Sequence, residues 1–192
     1  MYNIFWEYDK EVKYMKIFIG CSSREEIPNK YFNDCNKLIE ELFKLENDLV
    51  FGAYHKGLML VSHDIAKKNN RKVIGITPIV FVDALKELDC DVEIVTDTIS
   101  RRTDGLIEES DVLLFLPGGV GTIYELFTAI ECKKNGEFDK PIIIYNSNNF
   151  FDRLLDFLEK IYNEYFTDIK VKECYLVMNS VNEVIDYFKN MH

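Results

Sequence analysis

The sequence predicts a doubly wound α/β domain, a parallel sheet of about six or seven strands covered by helices on both faces. Short apolar runs of strand length alternate with segments of helical period along most of the chain. Runs such as Leu113-Leu114-Phe115-Leu116 are apolar without alternation, as strands buried on both faces are. Glycine and proline mark several of the breaks between segments, as at Pro78, Pro117-Gly118-Gly119 and Asn135-Gly136.

Lys16–Cys21 reads as the first strand, running into Ser22-Ser23-Arg24, and a helix follows over 29–46 with Leu38, Ile39, Leu42, Phe43 and Leu45 inward. Asp48–Gly52 is a second strand, followed by the loop Ala53-Tyr54-His55-Lys56 and a helix over 57–69. Lys72–Thr77 is a third strand closed by Pro78, residues 79–88 fit no single pattern, and Val92–Thr96 is a fourth strand. A helix over 98–109 is expected to turn Ile99, Thr103, Leu106 and Ile107 inward. Asp111–Leu116 is the fifth strand and feeds a glycine-rich turn and a helix that stops at Asn135-Gly136. Pro141–Tyr145, a helix over 150–165, Cys174–Val177 and a helix over 181–190 complete the series. Strands alternating with helices imply Rossmann-like layering. Residues 1–14, where Ile4, Trp6 and Tyr8 alternate with polar neighbours, read as an appendage, and residues 15–192 as one domain.

With 23 basic and 33 acidic residues the formal charge is −10, which repels an extended nucleic-acid backbone; Lys67-Lys68, Arg71-Lys72 and Arg101-Arg102 are too small to offset it. Nucleic acid is therefore not an expected partner. The five cysteines are scattered, form no C-x-x-C pair and suit a reducing compartment. No metal set is visible, and His55 and His63 lack ligand spacing and read as surface residues. No apolar run reaches membrane length, and Glu7, Asp9, Lys10 and Glu11 interrupt the N-terminus, so a cytoplasmic protein without membrane contact is expected.

The chemistry concentrates in Pro117-Gly118-Gly119-Val120-Gly121-Thr122. Three glycines in four positions let backbone N–H groups approach a ligand without Cβ interference. A helix starting near Thr122 would aim its unpaired N–H groups into the same space, which favours a phosphate. With Ile123, Leu126, Phe127 and Ile130 as the buried stripe, Thr122 and Glu125 share another face. A Glu in the first helical turn is stabilised as the anion, so Glu125 is expected to be ionised at neutral pH. Such a Glu can simply complement a helix terminus, but beside a triple-glycine turn it reads as a site residue. The turn matches neither the Walker pattern nor the dinucleotide fingerprint.

Pro117 to Glu125 resembles the P-G-G-x-G-T-x-x-E signature of the LONELY GUY (LOG) family, cytokinin-activating phosphoribohydrolases often mislabelled lysine decarboxylases. Further landmarks are Gly20-Cys21-Ser22-Ser23, Gly52 with Gly57-Leu58-Met59, Val73 to Pro78, and Lys140-Pro141. The family's M-x-x-R-K-x-x-M helix places its Arg on Arg102, its flanking Met positions on Ile99 and Leu106, and its Lys on Thr103.

The resemblance implies hydrolysis of the N-glycosidic bond of a nucleoside 5′-monophosphate, N6-modified AMP being a candidate, to free base and ribose 5-phosphate. It implies Arg102 and Glu125 as catalytic residues, with Ser22, Gly52, Met59, Gly118, Gly119, Val120, Gly121 and Thr122 around substrate and phosphate. It further implies a homodimer and no cofactor. The chain departs from the family at Ala53-Tyr54, where a glycine run is expected, at Thr103, and at Tyr124, often an acidic position. These departures motivate a second reading, a non-catalytic nucleotide-binding or nucleotide-sensing module. A molybdenum cofactor carrier is a third, which no residue selects. Lysine decarboxylation is rejected, since no Lys reads as a pyridoxal phosphate site. An acidic residue after the third strand contacts substrate in the family; Asp83 and Glu87 both qualify. The aromatic series Phe150, Phe151, Phe157, Tyr162, Tyr165 and Phe166 reads as packing or a subunit contact.

Overall fold

The computed structural model of the chain describes residues 14–191; the N-terminal appendage, Tyr14 excepted, lies outside the described residues. Seven strands form one wholly parallel sheet: β1 (Lys16–Gly20), β2 (Asp48–Phe51), β3 (Val73–Pro78), β4 (Val92–Thr96), β5 (Val112–Phe115), β6 (Ile142–Tyr145) and β7 (Leu176–Met178). Their order is β4-β3-β2-β1-β5-β6-β7. The helices are α1 (Asn29–Phe43), α2 (Gly57–Lys68), α3 (Val82–Leu85), α4 (Ile99–Glu108), α5 (Val120–Lys134), α6 (Asp152–Asn163) and α7 (Val181–Lys189).

Right-handed crossovers dictate the layers. The chain winds outward from β1 to β4 with α1, α2 and α3 on one face. It then crosses back through α4 to β5 and winds the other way, with α5 and α6 on the opposite face. Two cores result. Ile17, Ile19, Leu49, Phe51, Leu114 and Tyr145 point to α1, α2, α3 and α7, whereas Phe18, Val50, Ile74, Leu113, Phe115 and Ile144 point to α4, α5 and α6. This is why the middles of the central strands are apolar at successive positions: neighbouring side chains serve different cores.

The reversal of winding lies between β1 and β5, paired from Ile17 with Val112 to Gly20 with Phe115. Their C-terminal ends open the crevice in which α/β sheets place ligands. Residues 79–88 resolve into a 3-10 turn, Ile79–Phe81, and the one-turn α3. A 3-10 segment, Ile169–Cys174, was not legible in the sequence and delays the last strand to Leu176. Ile99, expected inward, is 46% exposed, because Thr98 caps α4 by accepting from Arg101 N at 3.2 Å and the buried face runs through Arg102, Thr103, Leu106 and Ile107. Of the aromatic series, Phe151 and Tyr162 are buried, while Phe157, Tyr165 and Phe166 are exposed. His63, expected on the surface, is buried between Asp64, 2.8 Å from its Nδ1, and the Asp89 carbonyl, 3.2 Å from its Nε2.

Candidate active site

The end of β1 gathers the site. Ser22 N donates to the Pro117 carbonyl at 3.1 Å, and the Ser22 carbonyl accepts from Leu58 N at 2.9 Å, so one residue ties the glycine turn to the start of α2. The Ser22 side chain is buried and its Oγ accepts from Arg24 N at 3.1 Å. Thr122 Oγ1 donates to the Cys21 carbonyl at 3.2 Å, fixing the first turn of α5 to the same strand end.

Gly118 is required by packing: a Cβ there would sit 2.1 Å from Thr122 Oγ1. At Gly119 and Gly121 a Cβ would meet nothing within 4 Å, and Val120 is 88% exposed, so the turn borders open space. The N–H groups from Gly118 to Thr122 have no acceptor among the described residues. They are the free donors of a helix N-terminus, where an anion is favoured. The Thr122 hydroxyl is engaged with Cys21, which leaves its backbone N–H as the group that faces the turn.

Two expectations about α5 need correction. The helix starts at Val120, two residues earlier than the sequence suggests, so Glu125 lies in the second turn, away from the strongest part of the helix dipole. The buried face is Thr122, Glu125, Leu126, Ala129 and Ile130, with Ile123 and Phe127 only half-buried. Glu125 is thus itself part of the interior, at 2% exposure. Burial pushes its carboxyl up from 4.5 to about 7 against the pull of Arg102, so it is not the readily ionised carboxylate that the sequence leads one to expect.

Arg102, in the first turn of α4, is the partner. Its Nη2 donates to Glu125 Oε1 at 2.5 Å, and both side chains are buried. Neither is saturated: Arg102 Nε and Glu125 Oε2 are buried without a hydrogen-bond partner among the described residues. One donor and one acceptor therefore remain unused beside the crevice. Gly52, at the end of β2, closes the group; a Cβ there would lie 3.5 Å from both Arg102 Nη1 and Met59 Cε. The structure thus brings Arg102, Glu125, Gly52 and Met59 together, and joins Ser22, Gly118 and Thr122 through the β1 end.

The departures have plain structural outcomes. Thr103, where the family Lys falls, is buried and donates to the Ile99 carbonyl at 3.1 Å, so a satisfied hydroxyl replaces a cation. Ala53 is held at φ 49°, a left-handed conformation natural to glycine, which explains the glycine run in the resemblance. Tyr54 stacks on His55 with centroids 5.0 Å apart. His55 Nε2 lies 3.6 Å from Glu87 Oε2, whereas Asp83 is paired with Lys86 at 2.7 Å. Tyr124 Oη donates to Ser100 Oγ at 3.3 Å, linking α5 to α4 above the buried pair. Burial pushes the Cys21 thiol well up and those of Cys35 and Cys90 up to about 12, which removes them as nucleophiles. Among the described residues no cluster of His, Cys, Asp and Glu is arranged to hold a metal ion, and no helix is long and apolar enough to cross a membrane.

The family described as possible lysine decarboxylase matches residues 59–188. Among curated proteins, the chain is 29% identical to a cytokinin riboside 5′-monophosphate phosphoribohydrolase of Arabidopsis thaliana, over 90% of this chain and 81% of that one. It is 27% identical to a probable enzyme of the same description from Oryza sativa subsp. japonica, over 91% and 70%. A further probable Arabidopsis enzyme is 30% identical over 80% and 77%. Among solved structures, the molybdenum cofactor binding protein of Rippkaea orientalis superimposes with TM-score 0.69 at 19% identity, covering 94% of this chain and 98% of that one. The molybdenum cofactor carrier protein of Chlamydomonas reinhardtii gives 0.68 at 19%, over 93% and 98%. At that identity the likeness establishes the shared fold.

Proposed function

The chain belongs to the family described as possible lysine decarboxylase, the LOG phosphoribohydrolases, and from that premise we propose that it hydrolyses the N-glycosidic bond of a nucleoside 5′-monophosphate. The observation that carries this reading is the buried Arg102–Glu125 pair, with an unused donor and an unused acceptor, beside the open N-terminus of α5.

The substrate phosphate takes the free N–H groups from Gly118 to Thr122. The ribose then lies toward Glu125. As the bond between C1′ and the base nitrogen lengthens, positive charge grows on the ribose ring, and a carboxylate in a low-dielectric site stabilises it strongly. Water adds its oxygen to C1′ and releases a proton, the base leaves with the bonding electron pair and is protonated, and the products are free base and ribose 5-phosphate. Arg102 is a positioning residue for the carboxylate and favours its ionised form against the burial that raises it to about 7. Gly52 leaves open the space that Arg102 Nη1 and Met59 Cε border. The chemistry calls on no metal and no organic cofactor.

Three finer points belong to the same proposal. The base is a purine, with N6-modified AMP as the candidate that the curated relatives suggest. The chain works as a single domain over residues 15–192, in the cytoplasm. It also forms a homodimer: Ile79, Val80, Phe81, Val95 and Ile99 make an exposed apolar rim along the β4 edge next to α4, a surface that a second copy would cover. Offering purified protein AMP and N6-prenylated AMP in competition tests the substrate. Faster release of the prenylated base supports the finer assignment, and preference for AMP limits the reading to unmodified nucleotides.

A second reading rests on the departures. Thr103 supplies no cation and Tyr54 occupies a loop expected to be glycine, which favours a module that binds nucleotide without turnover. It predicts nucleotide-induced thermal stabilisation with no base released.

A further inference from the structure

The glycine turn has two flanks. Arg102 and Gly52 lie on the β2 side; on the β6 side is a cleft of about 220 Å³ between α1 and the loop after β6. Ile27, Pro28, Tyr31 and Phe150 wall it, and Ser22 and the turn backbone close one end, with Arg24 at its edge. None of these four wall residues takes part in the proposed reaction.

The wall is rigid. Tyr31 and Phe150 meet edge to face at 5.3 Å, and Phe150 packs on the buried Phe151 at 4.9 Å. The loop that delivers Phe150 carries two consecutive left-handed residues, Asn148 at φ 48° and Asn149 at φ 60°. Side-chain bonds hold it there: Ser147 Oγ donates to Asp34 Oδ2 at 2.5 Å, Asn146 Nδ2 donates to Asp152 at 2.9 Å and Asn179 at 3.1 Å, and Phe151 N donates to Asn146 Oδ1 at 2.8 Å. Asn adopts the left-handed conformation at low cost, and these bonds fix the loop, and with it the Phe150 ring, in place.

The chemistry of the lining selects a ligand. Apolar and aromatic faces suit a flat ring, and the volume, below the roughly 300–1,000 Å³ of pockets for drug-sized molecules, suits one ring system. Apart from the Tyr31 hydroxyl and Lys30 Nζ, which lies 4.7 Å from the Tyr31 ring centroid, the polar groups lie at the turn end, where Ser22 Oγ accepts from Arg24 N and keeps its own hydrogen to donate, beside the Gly118 and Gly119 N–H groups. We propose that this cleft is a second subsite for a flat heteroaromatic base, taken as the free base or as the base of a nucleotide whose phosphate sits on the glycine turn, and held away from the Arg102–Glu125 pair. Only the nucleotide case rests on the phosphate reading of the turn. Neither Arg102 nor Glu125 lines the cleft, so the subsite retains base without cleaving a bond.

The test is calorimetry with adenine and with AMP on the full chain, comparing wild type, Phe150→Ala, Tyr31→Ala, Phe150→Tyr and Glu125→Gln. Loss of one stacking partner weakens base binding by about 10-fold or more. Adenine should bind that much more weakly to Phe150→Ala and Tyr31→Ala, recover in Phe150→Tyr and be unchanged in Glu125→Gln. Parallel loss for AMP assigns the cleft to nucleotide as well; unchanged AMP binding assigns it to free base. Loss for AMP alone, with no adenine binding to wild type at millimolar concentration, assigns the cleft to the nucleotide only; affinities for adenine and AMP that are equal in wild type and both alanine variants overturn the proposal. Base release from AMP, followed separately in Phe150→Ala, distinguishes failure of this subsite from failure of the hydrolase reading.

Discussion

Replacing Glu125 by Gln should abolish activity and at the same time stabilise the chain at pH 8. The reason lies in where the carboxyl titrates. It is buried, and burial raises it from 4.5 to about 7 despite Arg102 at 2.5 Å. Between those values the folded chain holds the proton more tightly than the unfolded one, so stability falls as pH rises through that window and is level above it. The interval from 4.5 to about 7 corresponds to about 3 kcal/mol of stability given up above pH 7 to keep the group ionised. Gln has the shape of the protonated acid and still accepts from Arg102, so it avoids that loss. Urea unfolding of Glu125→Gln against wild type at pH 8 should show a gain of up to about 3 kcal/mol, shrinking below about 1 kcal/mol by pH 5. In a thermal scan the gain appears as a rise on the order of 10 °C. Destabilisation of several kcal/mol at pH 8 would refute the reasoning, since it would mean that the pair more than offsets its own burial.

Three further outcomes follow from the same geometry. The hydrolysis rate should have an acid limb near pH 7, rising as Glu125 ionises; Arg102→Met should move that limb to higher pH, as measured by base release across pH 5–10. Gly118→Ala should lower stability by more than about 1 kcal/mol because its Cβ meets Thr122 Oγ1 at 2.1 Å, while Gly119→Ala, with nothing within 4 Å, should fold normally and weaken AMP binding by obstructing the turn; thermal unfolding and calorimetry separate the two. Val80→Glu should convert a dimer into a monomer in light scattering, Val80 being 69% exposed on the apolar rim; an unchanged mass places the interface elsewhere.

Much of the fold was legible because the middle of a central parallel strand is apolar at successive positions, and β1, β3, β5 and β6 have no competing pattern. The short 3-10 segment before β7 was not, since Ile169 to Cys174 carries neither period. In the site, glycine spacing announced the turn, and Arg102 and Glu125 came from the family signature. Their burial could not be read, because it depends on how α4 and α5 are rotated against the sheet. The inner face of α5 runs through Thr122, Glu125, Leu126, Ala129 and Ile130 rather than through Ile123 and Phe127, which turns an expected surface anion into a buried acid. The cleft beside the turn was invisible for another reason. Tyr31 and Phe150 are far apart in sequence, and only the packing of α1 against the loop after β6 brings their rings to 5.3 Å.

The most direct test of the account is base release from AMP at pH 8 by wild type and Glu125→Gln side by side, each shown to be folded in the same buffer. Stoichiometric free adenine and ribose 5-phosphate from wild type, with the rate lowered at least about 100-fold in Glu125→Gln, is the predicted result. Equal rates in the two proteins would remove Glu125 from the chemistry. Nucleotide binding with no adenine released by wild type, from AMP or its N6-prenylated form, would contradict the hydrolase reading and leave the non-catalytic one.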